Sequence, residues 1–296
     1  MSERTYSDVL TGLMKSYELN ASIYANPSVC GAWQIGGKDS AKQAVFHLIG
    51  RGSGWLHMDD LENPIGLNSG DLVVFPHNDW HMISPEPVLR DRKIHIDPDG
   101  DGPVTSLVCG MLEFRMGARN PIVDALPSLI FVRADQGDNR LAMLAQLLAA
   151  ESEAVEYGQQ LVLDKLADAL FVMAIRHYIA HATDRRGLVA GLADRRLGKA
   201  LFAMHADPGH PWQVAELAER AGMSRTAFSN HFSQILGESP ISYLTQWRMR
   251  RAEIELRRGA TVAELTERLG YQTEAAFRKA FKRVVGIAPG VARKQA

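Results

Sequence analysis

"VAELAERAGMSRTAF" occupies residues 214–228, and "VAELTERLGYQTEAAF" occupies residues 262–277. Over the first ten positions the two stretches share seven residues: Val, Ala, Glu, Leu, Glu, Arg and Gly. The downstream phenylalanines also recur, as Phe228/Phe232 and Phe277/Phe281, followed by "GESP" and then "GIAP". This is an internal duplication of one supersecondary unit. In each copy an amphipathic helix, with Val214, Leu217 and Ala218 turned inward in the first, stops at a glycine, Gly222 or Gly270. Glycine takes the left-handed conformation that a tight exit needs. Ser224 or Thr273 then caps a second helix, whose inner face is Phe228, Phe232, Ile235 and Leu236, or Phe277, Phe281, Val284 and Val285. Two short helices joined by a three-residue turn form a helix-turn-helix. The second copy carries one extra residue between turn and second helix.

The outer face of the first copy's second helix carries Arg225, Thr226, Ser229, Asn230, Ser233 and Gln234. Gln272, Glu274, Ala275, Arg278, Lys279 and Lys282 occupy that face in the second. Short or forked hydrogen-bonding side chains suit base edges in a major groove, and lysine suits phosphates. On a single copy these would equally be solvated helix faces. The segment between the copies favours DNA. Ser239, Pro240 and Gly259 bound one helix of about 18 residues, about 27 Å long at 1.5 Å per residue. That length, with the half-widths of its flanking units, approaches the 34 Å of one DNA turn. The linker's Arg248, Arg250, Arg251, Arg257 and Arg258 are available to phosphates or to Glu253 and Glu255.

Charge divides the same way. The 296 residues carry a formal charge of -1. Residues 194–296 nevertheless hold 17 Lys/Arg against 10 Asp/Glu, leaving 16 against 24 over residues 1–193. A basic third beside an acidic remainder implies that one domain meets a polyanion. There is no membrane-length apolar run and no signal pattern, and Cys30 and Cys109 are the only cysteines. These features point to a cytoplasmic protein without membrane contact.

The stretch from "WQVAELAERAGMSRTAF" through "YLTQWRMRRAEIEL" to "AFRKAFKRVVGIAPG" resembles the DNA-binding domain of AraC/XylS-type transcriptional regulators over about the last 100 residues. The resemblance implies a seven-helix unit that binds promoter DNA and recruits or blocks RNA polymerase, as an activator or a repressor. Members usually close with Tyr-Arg after the last proline, where this chain has Val291 and Ala292.

Upstream, short apolar runs separated by Gly, Pro, Asn and Asp read as β-strands from about residue 20 to 133. "GLNSGDLVVFPHNDWHMIS" resembles the second cupin motif, with Asn78 where glycine is usual, and "FHLIGRGSGWLHM" resembles the first. The cupin resemblance implies a small antiparallel β-barrel. Residues 139–182 then read as two helices. Leu163, Leu166, Leu170, Met173 and His177 share one face, which suits either a homodimer seam or packing on the barrel. The expected chain is α+β: a cupin-type sensor over 1–135, linker or dimerisation helices over 136–190, and an all-α double helix-turn-helix domain over 191–296.

Cupins often hold a metal, and the candidate ligands here are His47, His57, His77 and His81, with His95 more distant. No His-x-His pair is present, and ligands without matched spacing are more often ordinary core or surface groups. No cofactor is expected. Cys30 and Cys109, each followed by glycine, sit in contexts similar to those of cupin-AraC regulators that respond to reactive chlorine and other oxidants. That resemblance implies a redox pair, with His81 supporting a thiolate. The plainer reading makes both small buried hydrophobes. The effector is an oxidant or another small molecule. A metal-dependent cupin enzyme with an appended helical domain is the competing reading, and a DNA-independent partner-binding module is a third.

Overall fold

A computed structural model of the chain describes residues 10–11, 19–37, 43–97, 100–114, 121–136, 139–181 and 187–294. The described residues fall into two compact units. One comprises residues 19–114 with 126–181, and the other 121–125 with 187–294 and the short N-terminal piece.

The first unit rests on strands buried on both faces. β4 (Ala44–Arg51), β7 (Leu72–Phe75) and β10 (Thr105–Phe114) are apolar almost throughout. With β1 (Leu19–Ala25) and β11 (Ile130–Val132) they form an antiparallel sheet in the order β1-β10-β4-β7-β11, and β2 (Ser28–Val29) also pairs with β10. The second sheet has the order β6-β5-β8-β3-β9. Its strands are β3 (Trp33–Gly37), β5 (Ser53–Met58), β6 (Ile65–Asn68), β8 (His81–Ser84) and β9 (His95–Ile96). Side chains alternate along a strand. One set, including Val45, Ile49, Val73, Phe75, Leu107 and Cys109, joins Trp33, Leu56 and Ile83 of the opposite sheet in a shared core. The cupin expectation is met as two facing antiparallel sheets.

The other set, including Phe46, Leu48 and Leu112, is buried on the outer face. Two helices cover that side, α2 (Asn139–Glu153) and α3 (Gln159–His181), packing on each other, on β4 and on β1. Asp168 accepts a hydrogen bond from the Ala21 amide at 2.7 Å and Asp164 one from the Ile23 amide at 3.2 Å, which fixes α3 against β1. Leu163 and Leu170 are buried inside the unit together with Ala167, Phe171, Ala174 and Ile175. Leu166, Met173 and His177 of the same face are half-buried. No helix among the described residues is long and apolar enough to cross a membrane.

The second unit is helical: α1 (Pro121–Asp124), α4 (Gly187–Ala193), α5 (Leu197–Ala206), α6 (Val214–Arg220), α7 (Arg225–Leu236), α8 (Pro240–Arg257), α9 (Val262–Arg268), α10 (Glu274–Val285) and α11 (Pro289–Lys294). Ser224 accepts from the Ala227 amide, Ser239 from Ser242 and Thr273 from Ala276, as capping predicts. Thr261 and Glu264 add a capping box to α9. The departure at Val291–Ala292 is accommodated: Ala292 is fully buried, and α11 packs on α8.

The two turns are not equivalent. Gly222 has φ +65° and open space where a Cβ would stand. Gly270 has φ +73°, and a Cβ there would lie 2.1 Å from the Gly209 carbonyl oxygen. Ala substituted at Gly222 should cost about 1–2 kcal/mol, for the left-handed backbone alone. At Gly270 the backbone clash adds to that, for a total of about 3 kcal/mol or more. Urea unfolding of the two variants checks the contrast, and equal losses would contradict it.

Candidate functional site

In the duplicated units the inward residues anchor the helices, and the outer faces are left to solvent. Phe228, Phe232, Phe277 and Phe281 are fully buried. Arg225, Thr226, Asn230, Ser233 and Gln234 are exposed on α7, with Ser229 half-buried. Gln272, in the turn before α10, is exposed, as are Glu274, Ala275, Arg278, Lys279 and Lys282 on α10. Glu274 and Arg278 form an ion pair at 2.8 Å along that helix. The linking helix α8 has 18 residues, as the spacing predicts.

Two of its arginines pair with the glutamates named above, and a third has a use that was not foreseen. Arg251 pairs with Glu255 at 3.1 Å and Arg257 with Glu253 at 2.9 Å. Arg248 donates to the carbonyls of Pro208 and His210 and lies over the Tyr271 ring. It clamps the 207–211 loop onto the second turn, which explains why Gly270 has no room for a side chain. Under the first copy, His205 stacks on Trp247 at 4.1 Å between centroids and bonds the Tyr243 hydroxyl at 2.8 Å. Burial, with the Arg251 charge nearby, pushes the His205 pKa down to about 3.

The four candidate metal histidines do not converge. His57 Nε2 bonds the Ser84 hydroxyl at 2.9 Å, and His77 Nε2 bonds the Leu126 carbonyl at 2.9 Å. Only His47 and His81 meet, with their Nε2 atoms 2.8 Å apart. Among the described residues no group of three or more His, Cys, Asp or Glu is arranged to hold a metal ion. These residues do not fit a shared ion, and no chemistry is derived through one.

His47 and His81 instead belong to an array that sequence reading missed. His47 Nδ1 lies 3.1 Å from Cys109 Sγ, because β4 and β10 pair with His47 opposite Cys109. His81 Nδ1 lies 2.9 Å from the Asp79 carbonyl oxygen, and its ring stacks on Phe75 at 3.8 Å. Burial, reinforced for His47 by its neighbour His81, holds both histidines below their ordinary pKa. Burial also pushes the Cys109 thiol up to about 12. His81 lines a cleft of about 680 Å³ together with Tyr24, Val45, Trp80, Arg92 and Met111. The signal lay in the alternation: His47 falls between Val45 and Ile49, and Cys109 between Leu107 and Met111, all at inward positions.

Cys30 lies elsewhere. Its thiol donates to the Gly100 carbonyl at 2.7 Å. Val29 pairs with Thr105, and Cys109 lies four residues farther along β10, about 13 Å at 3.3 Å per residue. A disulfide needs Cα atoms within about 7 Å. The glycines that follow the cysteines do not make room for sulfur. A Cβ at Gly110 would strike the Phe46 ring at 2.3 Å, and one at Gly31 would meet the Gly100 backbone at 2.7 Å. Asn78 takes the glycine's place in the cupin motif by adopting φ +53°, a conformation asparagine tolerates.

Residues 8–180 match a family described as Cupin, and residues 217–295 one described as Helix-turn-helix domain. A putative AraC-like transcription regulator of Streptomyces lividans is 33% identical over 300 residues, covering 97% of each chain. The chain belongs to the AraC-like transcription regulators. Like them it is a DNA-binding regulator that carries a cupin-like ligand-binding domain. The RCS-specific transcriptional activator RclR of Escherichia coli K12 is 28% identical over 293 residues, covering 97% of this chain and 98% of that one. Among solved structures, the DNA-binding domain of AdpA in complex with a target DNA shows 28% identity and a TM-score of 0.32 over 34% of this chain and 92% of that one.

Because its folded pKa lies below that of the unfolded chain, His205 contributes stability in full above about pH 6.5. That contribution drains away toward pH 3 at about 1.4 kcal/mol per unit. Between pH 7.5 and 5.0, guanidinium unfolding of wild type should therefore lose about 2 kcal/mol more than that of His205→Phe. An identical acid loss in the two proteins would remove His205 as the cause.

Proposed function

We propose that this regulator lays both helix-turn-helix units on one face of promoter DNA, and that its cupin unit reports a small uncharged oxidant through Cys109. On the DNA side, the reading assigns base contacts to Arg225, Thr226, Ser229, Asn230 and Gln234 on α7. It assigns a mixed set of base and phosphate contacts to Gln272, Glu274, Ala275, Arg278, Lys279 and Lys282. The exposure of all of these but Ser229, which is half-buried, beside buried phenylalanines supports it. Asn230→Ala should weaken specific binding by about 1–3 kcal/mol and leave random-sequence binding unchanged. Lys282→Ala should weaken both alike and reduce the salt slope by about one. Equal loss on random DNA for Asn230→Ala would reassign it to the backbone.

On the sensing side, the observation that carries the reading is the contact between Cys109 and His47 inside the barrel core. RclR, similar over nearly the whole chain, is named as specific for reactive chlorine species and as an activator. We take both from it: an oxidant as effector, and activation through contact with RNA polymerase at the promoter. Cys30 and Cys109 lie too far apart in this structure to pair, so the reading takes Cys109 as reacting alone, with Cys30 as a second thiol only if β2 moves. An organic effector in the cleft beside His81 is the second reading, favoured by the mixed apolar and cationic lining of Trp80, Met111 and Arg92. The test is promoter affinity of the purified protein before and after equimolar hypochlorous acid. A change of about tenfold or more, abolished by Cys109→Ser and kept in Cys30→Ser, is expected. An unchanged response in Cys109→Ser would end the oxidant reading.

A further inference from the structure

We infer that Cys109, His47 and His81 form a one-way proton relay, which passes the Cys109 thiol proton to the ring of His81, a cleft-lining residue, and so lets a buried thiol react as a thiolate. The inference rests on the reading of Cys109 as the sensing thiol and says how such a thiol is activated.

The hydrogen-bond directions follow by elimination. The Asp79 carbonyl can only accept, so His81 Nδ1 carries a proton. In a neutral ring His81 Nε2 is then a lone pair. Two lone pairs do not face each other at 2.8 Å, so His47 Nε2 is the donor between the rings. That leaves His47 Nδ1 as a lone pair, and Cys109 donates its S–H to it at 3.1 Å. Burial keeps both rings neutral and the thiol protonated at rest.

The same chain runs in one direction when the thiol ionises. The thiol proton moves to His47 Nδ1, and the His47 Nε2 proton moves to His81 Nε2. His47 remains neutral and now donates to the thiolate. The positive charge resides on His81, a residue of the cleft lining whose ring stacks on Phe75 and lies near the Asp79 carboxylate. Arg92 lines the same cleft and opposes that charge, but its guanidinium is paired with Asp59 at 2.7 Å. Val45 and Met111 lie two positions from His47 and Cys109 on the same strands, so the cleft and the sulfur occupy adjacent layers of one inward face.

The reaction balances without a further partner. With hydrogen peroxide, the thiolate attacks one oxygen, the O–O bond breaks and hydroxide leaves. Sulfur is oxidised by two electrons to sulfenic acid, and the departing oxygen is reduced. The proton held on His81 returns to the hydroxide, so thiol and peroxide give sulfenic acid and water. With hypochlorous acid the thiolate attacks chlorine, the O–Cl bond breaks and the leaving hydroxide takes the His81 proton; water then displaces chloride from sulfur, so thiol and hypochlorous acid give sulfenic acid, chloride and a proton.

Nitrogen-15 NMR of histidine-labelled full-length protein reads the resting tautomers directly. His47 should be protonated at Nε2 and His81 at Nδ1, and the opposite tautomer at either ring would overturn the relay. Dimedone trapping with peptide mass spectrometry under dilute hydrogen peroxide reads the kinetics. Cys109 sulfenylation should slow about 100-fold in His81→Gln and His47→Gln. Cys30, in the same molecules, should stay within about twofold and so reports that the variants are folded. Equal Cys109 rates in wild type and variants would overturn the relay and leave Cys109 as the sensor. Rates that depend on the histidines, with no change in promoter affinity on oxidation, would instead sink the sensing reading and leave the relay standing. If neither variant folds, the wild-type tautomers decide.

Discussion

The first unit depends on a sheet that must be covered on both sides. β4, β7 and β10 have apolar residues at odd and even positions alike, so neither face can be left to water. One face closes on the second sheet, and α2 and α3 cover the other. Asp164 and Asp168 then hold α3 in place by taking amide protons from β1. This requirement also decides where polarity is admitted. An inward position on such a strand has no water to fall back on, so a histidine placed there has to find its partners within the protein. His47 does so on both ring nitrogens.

Repetition governs the helical unit, but the copies are not interchangeable. They share capped second helices, buried phenylalanine pairs and left-handed glycine ends, and all of this could be read directly because capping, helix period and glycine punctuation are local properties of the chain. The differences are tertiary. Beside the first copy, His205 stacks on Trp247 of the linking helix and bonds Tyr243, whose ring meets Phe232 edge-on. The second is held by Arg248, which ties a loop before the first copy to the turn of the second. Neither contact has a periodic signature, and Arg248 reads in sequence as one more basic residue available to phosphate.

The cupin unit shows the same division more sharply. Strand positions, the cupin motif and the alternation were legible from short-range pattern. The partnership of His47 with Cys109 was not, because those residues are 62 positions apart and meet only through the β4–β10 register. Two local features also have causes that lie outside the local pattern. The glycines that follow the cysteines serve the Phe46 ring and the Gly100 backbone, not the sulfurs. Asn78 reads as a departure from the motif, yet its backbone adopts the conformation the motif's glycine supplies.

On the proposed reading, a sensing thiol placed in a core has to be quiet until it is changed. The array of Cys109, His47 and His81 meets that condition, because the two ring contacts and the thiol contact form one chain ending on the Asp79 carbonyl. A satisfied buried network of this kind costs little at rest. Oxidation of the thiol shifts the donor from sulfur to an added oxygen, away from its place against His47, in a layer that also holds Val45, Ile49, Val73 and Leu107. An unsatisfied buried acceptor costs about 1–3 kcal/mol, and overpacking costs a similar amount. Both costs fall on β10, the strand that pairs with β1, β2 and β4, so a change at one sulfur loads the strand on which the sheet is built.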